Sequence, residues 1–450
     1  MQSSAENRQL VWVEHPFKEL GRLAWPIAVS TLSYSAMTLV DTYFVSGVSS
    51  AALAGVGLGG IAAFTLLCFS IGLLRGVKVL TSQAVGAGRD DAAAYARAGM
   101  GIALCLGFFT LVLGELIAPL VGKLAASAQA GHYATVYLQV RILSAPALLV
   151  FVAVREYSYG QGDARAPMVA AVVGNVLNIC LDYVLIVHLH QAAAGAAASS
   201  VVANVVELGI LLGIFHGRGL LPKPSLDAKA VRSVFRMGLP TGIQFLLEVG
   251  SFSLLSALIA GMAESEMAAH QIVLHSIHFS FLPAYALAEA GSVMAGQAVG
   301  ANRDDLVVGI GLRAMVVAAV YTGLCTIVFA CFGSELVNVF TKEPAVVGTA
   351  VSLMAIAAVF QVADGANVVA RGILRGTGDV RYPAAIGIIT AWVCAPPLTW
   401  FFGFHLGMGA KGGWIGLCIE IIVGAGLFWW RLGRGHWHRQ AARSREEMSA

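Results

Sequence analysis

Long stretches of apolar residues recur along the whole chain, and this pattern restricts the possible folds more than any other feature. We count twelve, near residues 23–47, 53–80, 95–120, 133–157, 167–188, 194–215, 238–262, 268–298, 307–332, 346–371, 383–405 and 412–432. A helix of roughly 20 apolar residues is long enough to cross a bilayer. The pattern therefore predicts an all-α integral membrane protein with twelve transmembrane helices.

Composition supports a membrane protein and excludes several other classes. The 450 residues are 58% hydrophobic and only 12% charged, whereas soluble domains average about 25% charged residues. The seven cysteines are scattered without a CxxC pair, which is typical of packing residues rather than of a disulfide or metal framework. We find no nucleophile with a base, no zinc motif and no phosphate-binding loop, so we predict neither an enzyme nor a cofactor.

The distribution of positive charge predicts the orientation of the chain. Of the 28 Lys and Arg residues, only Lys123, Lys342 and Lys411 lie in odd-numbered loops, and Arg141 lies within a span. Because cytoplasmic loops carry an excess of Lys and Arg, we predict a multi-pass protein of the cell (inner) membrane with both termini in the cytoplasm. We interpret the basic tail, RLGRGHWHRQAARSR, as a membrane-surface anchor, and we expect no nucleic-acid partner.

Two motifs occur twice. SQAVGAGRDD at 82–91 returns as GQAVGANRDD at 296–305, and GQGDARAP at 160–167 returns as GTGDVRYP at 376–383. Both pairs have nearly the same separation along the chain, so each copy follows an equivalent span. This indicates two parallel six-helix bundles, a plan known in secondary transporters. The predicted regions are an N-lobe at 1–216, a cytoplasmic linker at 217–236, a C-lobe at 237–433 and a basic cytoplasmic tail at 434–450.

The repeated decapeptide has a simple structural explanation. Gly86, Gly88 and Gly300 can supply the backbone freedom that a tight turn needs at a helix end. We therefore interpret both copies as turns between helices rather than as ligand-binding motifs.

Polar residues inside the N-half spans form the first candidate site. Asp41 lies 15 residues beyond Pro26, and the same spacing separates Asp182 from the start of its span, so both carboxyl groups lie about 22 Å from the cytoplasmic end. Asn178 is one turn below Asp182, and Ser200 returns to this level on the sixth span. Such a group can share a proton or bind a cation, although each member alone could simply satisfy a neighbouring helix.

The C-half offers a different set of ionisable residues. Glu248, Asp364 and Glu289 each lie about 10–12 Å into their spans, and therefore at one level. In the register of the repeated decapeptide, Asp41 aligns with Leu255, so the halves share a fold but not a site. Ionisable residues within spans are costly and are candidates for function.

Several longer stretches resemble the multidrug and toxic compound extrusion (MATE) family, in its NorM/DinF-like branches. They are LGRLAWPIAVSTLSYSAMTLVDTYFVSGVSSAALAGVG, GNVLNICLDYVLI, GLPTGIQFLLEVGSFSLLSALIAGM and VADGANVVARGILRGTGDVRYP. The resemblance covers essentially the whole chain. It implies a secondary antiporter that exports cationic or amphiphilic drugs in exchange for H⁺ or Na⁺ by alternating access, with no cofactor beyond the coupling ion.

The resemblance also assigns roles to N-half residues. Asp41, Asn178 and Asp182 match the family's N-lobe coupling site, which in some members binds Na⁺, and Ser200 stands where a threonine hydroxyl is usual. Pro26 matches the proline at which the first helix bends in some relatives.

In the C-half, Glu248 and Asp364 match carboxylates of NorM-type members, and Glu289 is a carboxylate that many members lack. Phe360 replaces a tyrosine that is common one turn before the aspartate, which weakens a C-lobe Na⁺ site. Tyr34, His275 and Phe360, with Pro26, are candidates for lining the substrate cavity or gating it.

Two other functions are alternatives to drug export. A lipid-linked oligosaccharide flippase shares the architecture of this superfamily, but we would expect it to have more spans and a more cationic cavity. An intramembrane enzyme would need a catalytic constellation near a membrane face, which the sequence does not contain.

Overall fold

The computed structural model describes residues 10–89, 91–218 and 227–449, so residues 219–226 of the predicted linker lie outside it. All regular elements of the described residues are helical. The α-helices are α1 (Pro16–Ser46), α2 (Ser50–Gly86), α3 (Ala92–Gly122), α4 (Ala128–Ile142), α5 (Ala145–Gly160), α6 (Arg165–Asp182), α7 (Ala192–Gly217), α8 (Ala228–Ala260), α9 (Glu264–Gly300), α10 (Asp305–Phe340), α11 (Pro344–Gly376), α12 (Arg381–Leu398), α13 (Ala410–Gly433) and α14 (His438–Ser449).

Each predicted span coincides with one helix or with two consecutive helical elements. Within the described ranges, ten helical segments are long and apolar enough to cross a membrane, and α4 with α5 forms an eleventh that bends by 51°. The remaining predicted span is α9, which has 37 residues but carries three histidines and Glu289 among its apolar residues. The all-α membrane architecture with twelve transmembrane helices is confirmed.

The bend between α4 and α5 was not expected, because residues 133–157 read as one continuous apolar span. Pro146 lies in the first turn of α5, where its missing N–H prevents the helix of α4 from continuing. The Arg141 guanidinium donates to the Ser144 hydroxyl at 2.6 Å, and this hydroxyl in turn donates to the Arg141 carbonyl oxygen. The break therefore exchanges helical hydrogen bonds for local side-chain bonds.

The fifth and eleventh spans share a second irregular feature. A π-helix over Tyr183–His188 continues α6, and another over Thr399–His405 continues α12. Their first residues have the same separation along the chain as the two copies of the second repeated motif. π-helical turns are uncommon and are frequent at functional sites. Asp182 is the residue immediately before the first of them.

The repeated motifs form equivalent turns. Gly88 and Asn302, which occupy the same position in the two copies of the decapeptide, have positive φ angles of 67° and 56°, and Gly162 and Gly378 have φ angles of 81° and 86°. Glycine adopts this left-handed region without strain, and asparagine tolerates it better than most other residues. In the decapeptide turn, the residue with the positive φ angle therefore lies two positions after the shared glycine, which is Gly86 or Gly300.

Gly86 and Gly300, which the two copies of the decapeptide share, allow close packing and do not supply the backbone freedom expected of them. Gly86 and Gly300 are the last residues of α2 and α9. A methyl group on Gly86 would overlap the Gln297 carbonyl oxygen, and a methyl group on Gly300 would overlap the Gln83 carbonyl oxygen. The two copies of the decapeptide therefore pack directly against each other, and their glycines permit this close approach.

The chain divides into two compact units. One comprises Met1–Ala28, Ser82–Arg89 and Ile243–Ala450, and the other comprises Val29–Thr81 and Asp90–Gly242. These units follow spatial contacts and divide α1, α2 and α8, so the lobe boundaries inferred from the sequence repeat stay a prediction.

Within the second unit, α2 crosses α8 at two pairs of glycines. A methyl group on Gly72 would lie 2.8 Å from the Gly242 Cα, one on Gly76 would lie 2.8 Å from the Gly238 nitrogen, and one on Gly238 would overlap the Leu73 carbonyl oxygen. Both helices carry a GxxxG pattern here, which allows membrane helices to pack backbone against backbone.

The basic tail folds as α14 and packs against the first unit. The Arg445 guanidinium pairs with Asp304 at 2.7 Å, Ser444 donates to Gln83 at 2.5 Å, and Trp437 is fully buried. Gln83 and Asp304 belong to the two copies of the decapeptide. Part of the tail predicted as a membrane-surface anchor is therefore held by the protein itself.

Candidate functional site

The N-half candidates come together where α1, α6 and α7 meet. Asp41 lies on α1, Asn178 and Asp182 on α6, and Ser199 and Ser200 on α7. The first turns of α7, AAAGAAASS, contain only small residues, which lets α7 approach α6 closely enough for serine hydroxyl groups to reach across.

The carboxyl groups of Asp41 and Asp182, which we call the carboxyl pair, both contact the side-chain amide of Asn178, at 2.9 and 3.3 Å. Two carboxyl groups held this close favour a state in which one of them carries a proton, because two neighbouring negative charges repel each other. Asp182 is fully buried, whereas Asp41 is partly exposed. The structure therefore places one deeply buried proton acceptor beside one that remains accessible.

Asn178 orients the carboxyl pair. With its amide turned so that both ends are satisfied, its nitrogen donates to Asp41 Oδ1 at 2.9 Å and to Asp182 Oδ2 at 3.3 Å. Its oxygen accepts from the Ser200 N–H at 3.1 Å. In this orientation the amide presents a donor to the two carboxyl groups.

One member of this site was not predicted from the sequence. The Ser199 hydroxyl, rather than that of Ser200, donates to Asp182 Oδ1, and Ser200 contributes its backbone N–H instead. The helical register of α7 decides between the adjacent serines, and the depth estimate from the sequence could not separate neighbouring positions. Arg141, noted only as a charge within a span, also interacts electrostatically with Asp41.

The other N-half candidates lie on α1. Pro26 is inside the helix. Tyr34 is exposed, with 52% of its surface accessible, and its carbonyl oxygen accepts from the Thr38 hydroxyl at 3.1 Å. Roles for these two residues in lining or gating a cavity stay predictions.

The C-half carboxylate of Glu248 forms an ion pair with Arg371. The Arg371 guanidinium donates to both Glu248 oxygens, at 3.0 and 3.2 Å, and to Asn367 Oδ1 at 2.9 Å. Gln244 donates to Glu248 at 2.8 Å and accepts from Arg375 at the same distance. Glu248 therefore carries little uncompensated charge in this structure.

The other C-half candidates are dispersed over two helices. Asp364 on α11 is partly exposed, Glu289 on α9 is buried, and His275 on α9 is exposed. Phe360, also on α11, is fully buried in a hydrophobic cluster and packs against Trp414, with ring centroids 6.2 Å apart, so its side chain does not line an accessible cavity.

Glu420 on α13 is a further ionisable residue of the C-half that was not predicted from the sequence. It is partly exposed and interacts electrostatically with Glu248, Asp364 and Arg371. An acidic residue in the middle of the last apolar span was the available signal.

The three histidines of α9, which are His270, His275 and His278, do not form one cluster. His270 is fully buried, where it accepts a hydrogen bond from the Trp414 indole at 3.0 Å and bonds Ser256 at 3.1 Å. His275 and His278 are exposed. Among the residues that the structure describes, no three His, Cys, Asp or Glu side chains are grouped so that they could hold a metal ion.

Arg371→Gln should destabilise the protein, because it leaves the Glu248 carboxylate without its cation. Breaking a fully buried pair costs about 3–5 kcal/mol. Because both side chains keep about a fifth of their surface exposed, solvent screening reduces the expected loss of unfolding free energy to roughly 1–3 kcal/mol.

Thermal melting in detergent measures this loss, and the double variant Glu248→Gln with Arg371→Gln serves as the control. The double variant should recover part of the lost melting temperature. An equal or lower melting temperature in the double variant would show that the pair does not act as described.

Comparisons with known proteins cover nearly the whole chain. A family model described as MatE matches residues 26–184 and 240–401, two segments whose starting points have the same separation as the two copies of the decapeptide. A Pseudomonas putida chain named "Probable multidrug resistance protein NorM" is 30% identical over 445 residues, which cover 93% of this chain and 95% of the relative. A Thermotoga maritima chain of the same name is 26% identical, with coverages of 96% and 95%.

Solved structures show the same fold. A MOP superfamily transporter from Pyrococcus furiosus aligns with a TM-score of 0.88 at 23% identity, covering 94% of this chain and 96% of its own. A mutant of the Vibrio cholerae MATE transporter VcmN aligns with a TM-score of 0.87 at 20% identity, covering 94% and 97%.

Proposed function

The chain belongs to the MatE family of multidrug efflux transporters, and we propose that it exports cationic or amphiphilic drugs in exchange for protons. The family predicted from the sequence motifs is confirmed, and the chain is a transporter rather than an enzyme. The choice of coupling ion and the chemical class of the substrate belong to the proposal.

The observation that carries the proposal is the convergence of the two carboxyl groups of the carboxyl pair on the Asn178 amide, inside the membrane. Two carboxyl groups this close do not readily ionise together, so the pair is suited to bind and release one proton. A proton entering from outside neutralises one carboxylate, and a proton leaving restores the charge that attracts a lipophilic cation. Proton and drug therefore compete for the same charge, and competition of this kind produces exchange.

Three features support protons over sodium at this site. With its amide turned, Asn178 donates from its nitrogen to both carboxyl groups, so the polar groups of the site are satisfied without a metal ion. The Ser199 hydroxyl donates to Asp182 Oδ1 or to the Ala196 carbonyl oxygen. The Ser200 hydroxyl is not directed to either carboxyl oxygen by a hydrogen bond among the described residues. The donors around the carboxyl pair therefore suit carboxyl oxygens better than a metal ion.

The C-half has a different role in this proposal. Glu248 is neutralised by Arg371, whereas Asp364 and Glu420 are partly exposed acidic residues within spans of the same half. We propose that these two groups attract the cationic drug and that proton coupling belongs to the N-half.

The orientation follows from the charge distribution. We propose a location in the cell (inner) membrane with both termini in the cytoplasm, because Lys and Arg are concentrated at the termini and beside even-numbered loops. In this orientation the duplicated decapeptide turns face the cytoplasm and the carboxyl pair lies in the outer half of the bilayer.

Accumulation of a fluorescent lipophilic cation, such as ethidium, in cells tests the proposal. Cells that express the protein should retain less dye than cells that express Asp41→Asn at the same membrane level. Equal dye retention in both would contradict drug export, and it is the outcome expected of a lipid-linked oligosaccharide flippase.

A further inference from the structure

Glu207, in the middle of α7, is a buried carboxyl group outside the carboxyl pair. Only 7% of its surface is accessible, and no hydrogen bond or ion pair joins it to another residue that the structure describes. An ionisable residue inside a membrane span without such a partner is costly. Glu207 therefore calls for a role other than holding helices together.

The shape of α6 accommodates this side chain. A methyl group on Gly174 would overlap the Glu207 Cγ atom and would lie 2.7 Å from its Oε1 atom. Glu207 thus lies flat against the backbone of α6 and faces the protein interior rather than the lipid. The same two helices, α6 and α7, carry four of the five residues of the site around the carboxyl pair.

Polar residues connect the level of the carboxyl pair with that of Glu207. Asn175 on α6 donates to Ser33 on α1 at 2.5 Å, and Asn204 on α7 donates to Ser144 at 3.1 Å. Asn175 and Asn204 are almost completely buried, so they place polar groups of α6 and α7 inside the protein in this region, and we call these groups the polar path.

Charged groups from the neighbouring helices surround this path. Arg141 of α4 interacts electrostatically with both Asp41 and Glu207, and Arg155 of α5 interacts with Glu207. Arg155 also pairs with Glu156 at 2.9 Å. On α6, the ionisable group on the side of the carboxyl pair is Asp182.

Two buried acceptors on α5 and α6, the helices that pack against α7, lack a hydrogen-bond partner among the described residues. They are Asn175 Oδ1 and Glu156 Oε2. Buried acceptors without a protein donor are normally hydrogen-bonded to water, and hydrogen-bonded water conducts protons. The polar path therefore contains both paired polar groups and acceptors that water can bind.

The depth of Glu207 is intermediate between the carboxyl pair and the cytoplasmic ends of the helices. It lies ten residues before the end of α7 at Gly217, or about 15 Å, and it is about 10 Å closer to that end than Ser200. A proton is transferred directly only over hydrogen-bond distance or through one water molecule. A proton leaving the carboxyl pair for the cytoplasm therefore passes through several groups or water molecules, and an ionisable group at an intermediate depth can serve as an intermediate proton acceptor.

We propose that Glu207 is this intermediate proton acceptor, an inference that rests on the proposed proton antiport. The carboxyl pair loses one proton along the polar path, the Glu207 carboxylate becomes a carboxylic acid, and the acid then releases the same proton to cytoplasmic water. Only O–H bonds form and break. Arg141 and Arg155 stabilise the Glu207 carboxylate between transfers.

Comparison of Glu207→Gln with Glu207→Asp tests the inference in proteoliposomes under an imposed pH gradient. Glutamine has the shape of glutamate but does not bind a proton at neutral pH, whereas aspartate is shorter but ionisable. We expect the export rate of a lipophilic cation to fall at least about tenfold in Glu207→Gln, with an unchanged KM, and to be largely retained in Glu207→Asp.

A structural role would rank the variants in the opposite order, because glutamine preserves the packing against Gly174. A wild-type rate in Glu207→Gln, or a lower rate in Glu207→Asp than in Glu207→Gln, would overturn the inference. The dependence of the rate on cytoplasmic pH should also disappear in Glu207→Gln, and persistence of the wild-type pH profile would count against it.

Gly174→Ala provides a second variant that keeps the carboxyl group but displaces it. We expect a reduced export rate with an altered pH profile, and a wild-type rate and profile would contradict the placement of Glu207. Asp41→Asn separates this inference from the proposed function. If Asp41→Asn retains proton-driven export, the proposed function fails. If only Asp41→Asn is inactive and Glu207→Gln is normal, the inference about Glu207 alone fails.

Discussion

Asp41→Asn is expected to reduce proton-driven drug export at least about tenfold, a change that corresponds to about 1.4 kcal/mol. Asparagine nearly matches aspartate in shape and still offers an oxygen to the Asn178 amide. It neither binds a proton nor carries charge near neutral pH, so the carboxyl pair loses one of its two proton-binding groups. The measurement is the initial rate of dye uptake into proteoliposomes under a fixed pH gradient, and Asp182→Asn should give a similar loss.

Glu115→Gln is a matched control for this prediction. It makes the same kind of change, from acid to amide, in α3, away from the site formed by α1, α6 and α7. We expect the control to transport at the wild-type rate. Undiminished export by Asp41→Asn, or an equal loss in the control, would contradict the assignment of coupling to the carboxyl pair.

Gly238→Ala should have the largest effect on stability, because the added methyl group would overlap the Leu73 carbonyl oxygen. The overlap is with the backbone of α2, which cannot move aside as the end of a flexible side chain can. Overpacking of this kind costs about 1–3 kcal/mol or more. We expect a lower melting temperature in detergent, and we expect the variant to favour any transport state in which α2 and α8 separate.

Gly250→Ala is the matched control in the same helix. A methyl group there would meet only the Trp392 ring, at 3.6 Å, and alanine has the higher helix propensity. Its melting temperature should equal or exceed that of the wild type. A melting temperature of Gly238→Ala within error of the control would show that the glycine crossing is not tightly packed.

The fold could be predicted largely from the sequence because bilayer thickness requires long apolar helices, and these are visible without tertiary contacts. The repeat was equally visible, and its equivalent turns at Gly88 and Asn302 were accessible from the register alone. The bend after Ile142 was not, since a proline inside an apolar run is compatible with either a continuous or a broken helix. The π-helices were also not predictable, because they depend on backbone hydrogen bonding rather than on an apolar pattern.

The depth of the candidate site residues in the membrane could be predicted from the sequence, but their side-chain contacts could not. Equal spacing from the span starts placed Asp41 and Asp182 at one level, and the structure brings them together. Depth does not determine which helix face a side chain occupies, so the adjacent serines were confused. Depth also gives no information on partners, and the neutralisation of Glu248 by Arg371, 123 positions away, could be found only from the packed helices.

The most direct test of the central claim is drug transport by purified protein in proteoliposomes, with a pH gradient and a sodium gradient imposed separately. We predict that the pH gradient alone drives accumulation of a lipophilic cation in sodium-free buffer, and that Asp41→Asn removes this accumulation. Accumulation driven by the sodium gradient alone, with none under the pH gradient, would contradict proton exchange at the carboxyl pair.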